Sequence, residues 1–166
     1  MDAVSAEKRP IFWQILVLGG WIGLCFLAAW IGSAATMPRV PEWYASLDKP
    51  SFNPPAWVFG PVWTVLYLMM AVAAWLVWRT GGWTGAWPAL AIFCGQLALN
   101  TLWSILFFGL QSPAAAAVEI VFLWLAILAT LLLFARREKV AALLLVPYQA
   151  WVTFAAILNF TIVAMN

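Results

Sequence analysis

Three short stripes hold most of the side chains that could do chemistry in this sequence. Gln96, Asn100, Trp103 and Phe107 recur at helical spacing, as do Tyr148, Trp151, Ala155 and Asn159, while Trp63 and Tyr67 form a pair at i, i+4. Indole and phenol faces hold flat apolar molecules, and a few convergent amides orient them, so the stripes could build a ligand pocket. The same residues also have an internal use: Gln96, Asn100 and Asn159 could tie neighbouring helices together, at about 0.6 kcal/mol each. Spacing alone leaves both readings open.

Other chemistries are excluded by what the chain lacks. It contains no histidine, which removes the commonest general base, the commonest metal ligand and the usual haem axial ligand. Cys25 and Cys94 are far from any CxxC spacing and are expected to be small buried hydrophobes. No phosphate loop, nucleophile elbow or paired-carboxylate site occurs, and neither a metal nor a cofactor is expected. The net charge of +2 comes from basic residues at the edges of apolar runs, which speaks for membrane topology and against nucleic acid as a partner.

The stripes need elements to position them. The chain is 66% hydrophobic and 8% charged, which excludes a water-soluble globule and indicates an integral membrane protein. Charge is absent from 10–38, 50–78, 80–118 and 140–166, and Glu119 alone interrupts 113–135. Continuous apolar runs of this length select helices rather than a barrel. The expected fold is therefore all-α, a five-transmembrane-helix bundle forming one membrane domain over 1–166, with spans at about 12–36, 57–79, 86–109, 113–135 and 141–164. Gly81, Gly82 and Pro88 punctuate the entry to the third span, and Gly109 to Pro113 separate it from the fourth. Lys8, Arg9, Arg79, Arg136, Arg137 and Lys139 outnumber Arg39 and Lys49, so the N-terminus is expected in the cytoplasm. The short segment before the first span reads as retained rather than removed.

At 1.5 Å per residue, Trp63 and Tyr67 lie roughly 9 and 15 Å below the non-cytoplasmic edge. Asn100 and Trp103 come out at about 13 and 9 Å, Asn159 at about 7 Å and Trp151 at roughly 20 Å. The stripes thus share one layer, beneath the segment 37–56. Of the thirteen tryptophans, Trp13, Trp57, Trp75, Trp78, Trp83 and Trp87 sit near helix ends and read as an interfacial belt.

Three separated stretches, WYASLDKPSFNPPAWVFGPVWTVLY, GQLALNTLWSILFFG and VPYQAWVTFAAILNF, resemble the TspO/MBR family of tryptophan-rich sensory and translocator proteins, also known as peripheral-type benzodiazepine receptors. The resemblance runs from about Pro41 to Asn159. It implies five transmembrane helices, often as a homodimer, and a pocket for porphyrins, sterols or synthetic isoquinoline and benzodiazepine ligands, capped by the first loop. By this resemblance Trp43 belongs to the lid, Trp63 and Trp151 face the ligand, and Asn100, Trp103, Phe107, Ala155 and Asn159 line the same cavity. Pro50, Pro54 and Pro55 then stiffen the lid where it re-enters the membrane. The sterol motif of animal members is incomplete: Val146 and Tyr148 match its start, yet 149–166 contain no Lys or Arg. A tetrapyrrole is therefore expected before a sterol, in a bacterial membrane. The resemblance implies a receptor or sensor, with a transporter or a light-dependent porphyrin-degrading enzyme as alternatives. In the enzyme case Trp63 and Trp151 would be the catalytic residues, acting by radical or photochemistry.

Two further expectations concern helix contacts. Ala91, Gly95 and Ala98 form a small-residue face suited to a homodimer, while Gly19 and Gly23 form a GxxxG whose enlargement should mainly disturb the fold. Glu119, about 9 Å from Pro113, is expected on the cytoplasmic side, opposite the pocket, where a helix N-terminus favours a carboxylate.

Overall fold

A computed structural model describes residues 10–166. Lys8 and Arg9, which contribute to the charge asymmetry, lie outside the described residues. Among the described residues every regular element is helical: α1 (Ile11–Thr36), α2 (Ala56–Ser104), α3 (Pro113–Ala135) and α4 (Lys139–Met165). Four helical segments are long and apolar enough to cross a bilayer: Ile11–Tyr44, Ala56–Gly109, Pro113–Ala135 and Lys139–Met165. The expected count was five. The difference lies in the second segment, which holds both 57–79 and 86–109 in one run of 54 residues.

That run is not straight. Gly82 sits inside it at φ 64°, ψ −162°, a combination essentially only glycine adopts. In a continuous helix residues 67 and 100 would be ~50 Å apart. Instead the Tyr67 hydroxyl donates to Asn100 Oδ1, and Gln96 Nε2 lies 3.9 Å from Met70 Sδ. The segment therefore doubles back at Gly82, laying one arm of α2 against the other. Helical bonding continues on both sides of the bend, so the two arms of α2 are two helices joined across a kink at Gly82 with no longer loop between them.

The first loop is also more helical than its prolines suggest. After Thr36 the chain continues through a tight 3-10 turn (Met37–Arg39) and a wide π turn (Val40–Tyr44), so half of the expected 37–56 lid extends α1. Each of Pro38 and Pro41 falls in the opening turn of one of these pieces, where a missing N–H costs least. The end of this extension is capped by Lys49, whose Nζ donates to the carbonyls of Tyr44 and Leu47, both at 2.7 Å. Asp48 is then tied to the far end of α4: its N–H donates to Asn166 Oδ1 at 3.0 Å, and Asn166 Nδ2 returns a bond to Asp48 O at 3.0 Å.

Small residues let the helices approach. Ala71, Ala73, Ala74, Ala86, Ala89, Ala116 and Ala141 are essentially inaccessible, consistent with packing in lipid, where backbone proximity replaces the hydrophobic drive. Around them lie Met70, Val77, Phe93, Phe134 and Leu145, with Phe93 stacked on Phe134 at 5.9 Å. α3 and α4 run antiparallel, tied by Trp124 Nε1 to Thr153 Oγ1 at 2.8 Å and by Asn159 Nδ2 to Pro113 O at 2.9 Å.

Several surface expectations need correction. Trp78 is 2% exposed, so it is a core residue and not part of an interfacial belt, whereas Trp13, Trp57, Trp83 and Trp87 are well exposed. Cys25 is buried as expected, but Cys94 is exposed on the outer side of α2. Gly19 and Gly23 face open space like Gly95, with nothing within 4 Å of an added Cβ. The close intrachain approach is made by Gly32 instead, where a Cβ would stand 3.2 Å from Ser104 Oγ.

Candidate functional site

The bend at Gly82 and the antiparallel α3–α4 pair bring the three stripes around one cavity of about 780 Å³, beneath the helical extension of α1. Trp63 and Tyr67 reach it from the first arm of α2, and Asn100, Trp103 and Phe107 from the second arm and its end. Trp151, Ala155 and Asn159 reach it from α4. Met37, Val40 and Tyr44 close it from above. Its size falls within the range of small-molecule sites.

Trp43 departs from the expectation. It does not line the cavity but packs edge-on against Phe107 at 5.7 Å and Phe108 at 6.3 Å, forming the outer layer of the lid. The neighbouring Tyr44 takes the inward position, its hydroxyl donating to Asn53 Oδ1 at 2.8 Å. Because the lid is helical here, adjacent residues point to different faces, and only Tyr44 of the WY pair faces inward.

The aromatic rings are set by mutual contact. Trp63 lies 5.5 Å from Tyr67, and Trp103 stacks on Phe107 at 5.1 Å with an interplanar angle of 26°. Trp63 and Trp151 stand 6.5 Å apart at 89°. A flat molecule lying on one of these two indoles therefore meets the other edge-on, so the pair cannot sandwich it.

A buried polar chain fixes the floor. Tyr67 donates to Asn100 Oδ1, Asn100 Nδ2 donates to Tyr148 Oη at 3.0 Å, and Tyr148 donates to Gln96 Oε1 at 2.9 Å. At the rim Trp103 Nε1 donates to Asn159 Oδ1 at 3.1 Å, while the other end of that amide holds Pro113 O. Thus Asn100 and Asn159 tie helices together and line the cavity at once, whereas Gln96 and Tyr148 lie behind its wall and serve packing alone. Each Asn keeps one N–H and a lone pair beyond these bonds, enough to meet a ligand polar group.

Glu119 is corrected in position. Asn159, which lines the cavity, bonds the carbonyl of Pro113, so α3 begins at the cavity end and Glu119 lies in the same half of the bundle as the cavity. It belongs to the inward stripe with Ala116, Ile120 and Leu123, is 6% exposed, and neither carboxyl oxygen has a partner among the described residues. It does not line the cavity. A helix joined by a short turn to the end of α2 must start at the end where α2 stops, which is the cavity end.

Sequence reasoning missed the wall supplied by α1. Phe26, Trp30, Ser33 and Thr36 line the cavity, and their spacing of three to four along the first span was the available signal. Tyr148, the hub of the floor, was visible only as one member of a stripe. No group of three or more His, Cys, Asp or Glu able to hold a metal occurs among the described residues.

With this geometry in hand, similarity to known proteins becomes interpretable. The model of the TspO/MBR family matches residues 21–165, which takes in the second half of α1, the lid and α2 to α4. The chain belongs to the TspO/MBR family. It is 50% identical over 160 residues to the tryptophan-rich protein TspO of Chlorobaculum tepidum, covering 92% of this chain and 98% of that one. The tryptophan-rich sensory protein of Cereibacter sphaeroides is 41% identical over 145 residues, 86% of this chain and 90% of its own. The human translocator protein is 40% identical over 138 residues, 82% of each chain. Family membership and four apolar helices together make this TspO/MBR chain an integral, multi-pass membrane protein.

Proposed function

We propose that this TspO/MBR chain is a membrane receptor that binds porphyrins and related flat apolar ligands in the cavity beneath the α1 extension. The observation that carries the reading is the wall itself: four large aromatic rings, Trp63, Trp103, Phe107 and Trp151, meet two oriented amides in one cavity of about 780 Å³. Aromatic faces supply contact area at low entropic cost, and amides with spare bonding capacity fix orientation. Names given to relatives, sensory protein and translocator protein, fit a ligand-responsive role. In this reading the two arms of α2 cross the membrane separately, giving five crossings, with the N-terminus and the basic end of the bundle in the cytoplasm. Trp43 contributes by stiffening the lid rather than by touching the ligand.

The test uses the full chain in lipid nanodiscs, offered a porphyrin, a sterol or an isoquinoline carboxamide. Stoichiometric retention of the porphyrin, with displacement by the isoquinoline, supports a single shared cavity. Retention of the sterol alone would overturn the choice of ligand class. Tracer flux in proteoliposomes and product analysis in light and dark separate a receptor from a transporter and from an enzyme. No net flux and no porphyrin loss are expected.

A further inference from the structure

The cavity beneath the α1 extension is bounded by neutral groups throughout: among the described residues no Asp, Glu, Lys or Arg lines it. Its wall is also incomplete on one side, where α1 and the first arm of α2 part. On the porphyrin reading given above, we infer that its ligand is an uncharged tetrapyrrole ester whose long alkyl chain leaves the cavity between these two helices and runs into lipid.

Tetrapyrrole side chains end either in free carboxylates or in esters, and the wall discriminates between them. A carboxylate held within the membrane needs a countercharge, because dipoles alone do not repay its lost hydration. The two cations of the lid segment do not supply one. Lys49 already directs its ammonium at the carbonyls of Tyr44, Ala45 and Leu47, and the exposed Arg39 is absent from the wall. An ester asks only for neutral donors. Ser33 and Ser104 bring hydroxyls to the wall, and Asn100 and Asn159 bring their spare N–H groups.

The way out for a chain follows from how α1 leans. Low in the bundle it is held to the first arm of α2, with Trp75 Nε1 donating to Gln14 O at 3.1 Å and the Phe26 ring 6.5 Å from Tyr67. Higher up it presses on the end of the second arm, where a Cβ on Gly32 would stand 3.2 Å from Ser104 Oγ and one on Gly109 3.7 Å from Ala35 Cβ. The upper part of the first arm is left uncovered. Trp30 and Ser33 of α1 and Trp57, Gly60 and Thr64 of α2 line the cavity and yet are exposed, Trp30 by 69% and Trp57 by 75%. Side chains that face both the cavity and the outside mark a slot through the wall. It opens into the bilayer, since Gly60 and Thr64 lie about 6 and 12 Å along α2 from its start. A chain attached to a bound ring reaches the slot intramolecularly, which favours it over a free lipid or a second copy.

Tryptophan quenching of the full chain in phosphatidylcholine nanodiscs is titrated with mesoporphyrin IX, its dimethyl ester and its methyl hexadecyl diester, each corrected for partition into empty nanodiscs. The dimethyl ester should bind about tenfold more tightly than the free acid. The methyl hexadecyl diester should match the dimethyl ester within about twofold, because its chain stays in hydrocarbon throughout, whereas a closed pocket would reject it. Gly60→Leu narrows the slot without displacing the protein's own atoms, since nothing lies within 4 Å of an added Cβ, and leucine is the better helix former. It should weaken the hexadecyl diester about tenfold and leave the dimethyl ester unchanged. A free acid bound as tightly as the dimethyl ester, a hexadecyl diester rejected by the parent, or a Gly60→Leu variant that treats the two esters alike would overturn the assignment while leaving the porphyrin site standing. Failure of all three probes to bind would instead remove the porphyrin reading, and this ligand with it.

Discussion

Replacing Gly82 by alanine adds one methyl group where the backbone has no room for it. At φ 64°, ψ −162° any Cβ is strained, and a non-glycine residue there costs about 1–3 kcal/mol. Gly81 provides the control. Its backbone is helical, and a Cβ there would meet Ala86 N at 3.4 Å and Arg137 Nη1 at 3.7 Å, which is ordinary contact. Alanine is preferred over glycine in a helix by roughly 0.5–1 kcal/mol. Two adjacent glycines given the same methyl should therefore move stability in opposite directions, by a total of about 1.5–4 kcal/mol. Reversible unfolding in mixed detergent micelles, followed by helical circular dichroism, measures both. The loss in Gly82→Ala should extend to the site, because the bend is what carries Asn100 to Tyr67. A Gly82→Ala variant as stable as the parent, or a Gly81→Ala variant equally damaged, would refute the argument that a glycine-only conformation folds α2 back.

Asn159→Leu removes the bonds to Trp103 and Pro113 and should cost about 1 kcal/mol of stability. It should also weaken porphyrin binding, and unchanged values in both assays would deny the amide its bridging role. Glu119→Leu replaces a buried carboxyl that has no partner, so a gain of about 1–3 kcal/mol in the micelle assay is expected, with porphyrin affinity unaltered. A loss of stability would point to a partner outside the described residues. Asn166→Ala cuts the two bonds that hold Asp48, so stopped-flow porphyrin exchange should quicken by about fivefold if opening of the lid limits it. Unchanged exchange would route the ligand between helices.

Helices and the membrane setting were legible because long uncharged runs leave the backbone no other way to satisfy itself in lipid. Trp63, Asn100, Trp103 and Trp151 were legible because helical period and depth are simple arithmetic, and both survive tertiary packing. The glycine pair marked the place where α2 divides, but not how short the connection is, since the non-helical backbone is confined to Gly82. The helical start of loop 1 was not legible, because Pro38 and Pro41 are tolerated where they open new turns and leave no periodic apolar run to mark them. Trp78 illustrates a further limit: nearness to a helix end says nothing about which side of the helix faces lipid, and this ring turned inward. Rotation about the helix axis also separated Tyr44 from Trp43, and no linear motif encodes it.

The most direct test of the account is a porphyrin titration read by tryptophan fluorescence in the parent, Trp63→Phe, Trp151→Phe and the exposed Trp87→Phe. Because the two cavity indoles stand at 89°, one offers its face and the other its edge, and each should contribute. An aromatic contact is worth about 0.5–1.5 kcal/mol beyond burial, so saturable quenching with one site per chain is predicted, weakened roughly two- to tenfold by either cavity change and untouched by Trp87→Phe. Quenching that never saturates, or one dissociation constant shared by all four proteins, would contradict the claim that this cavity is the porphyrin site.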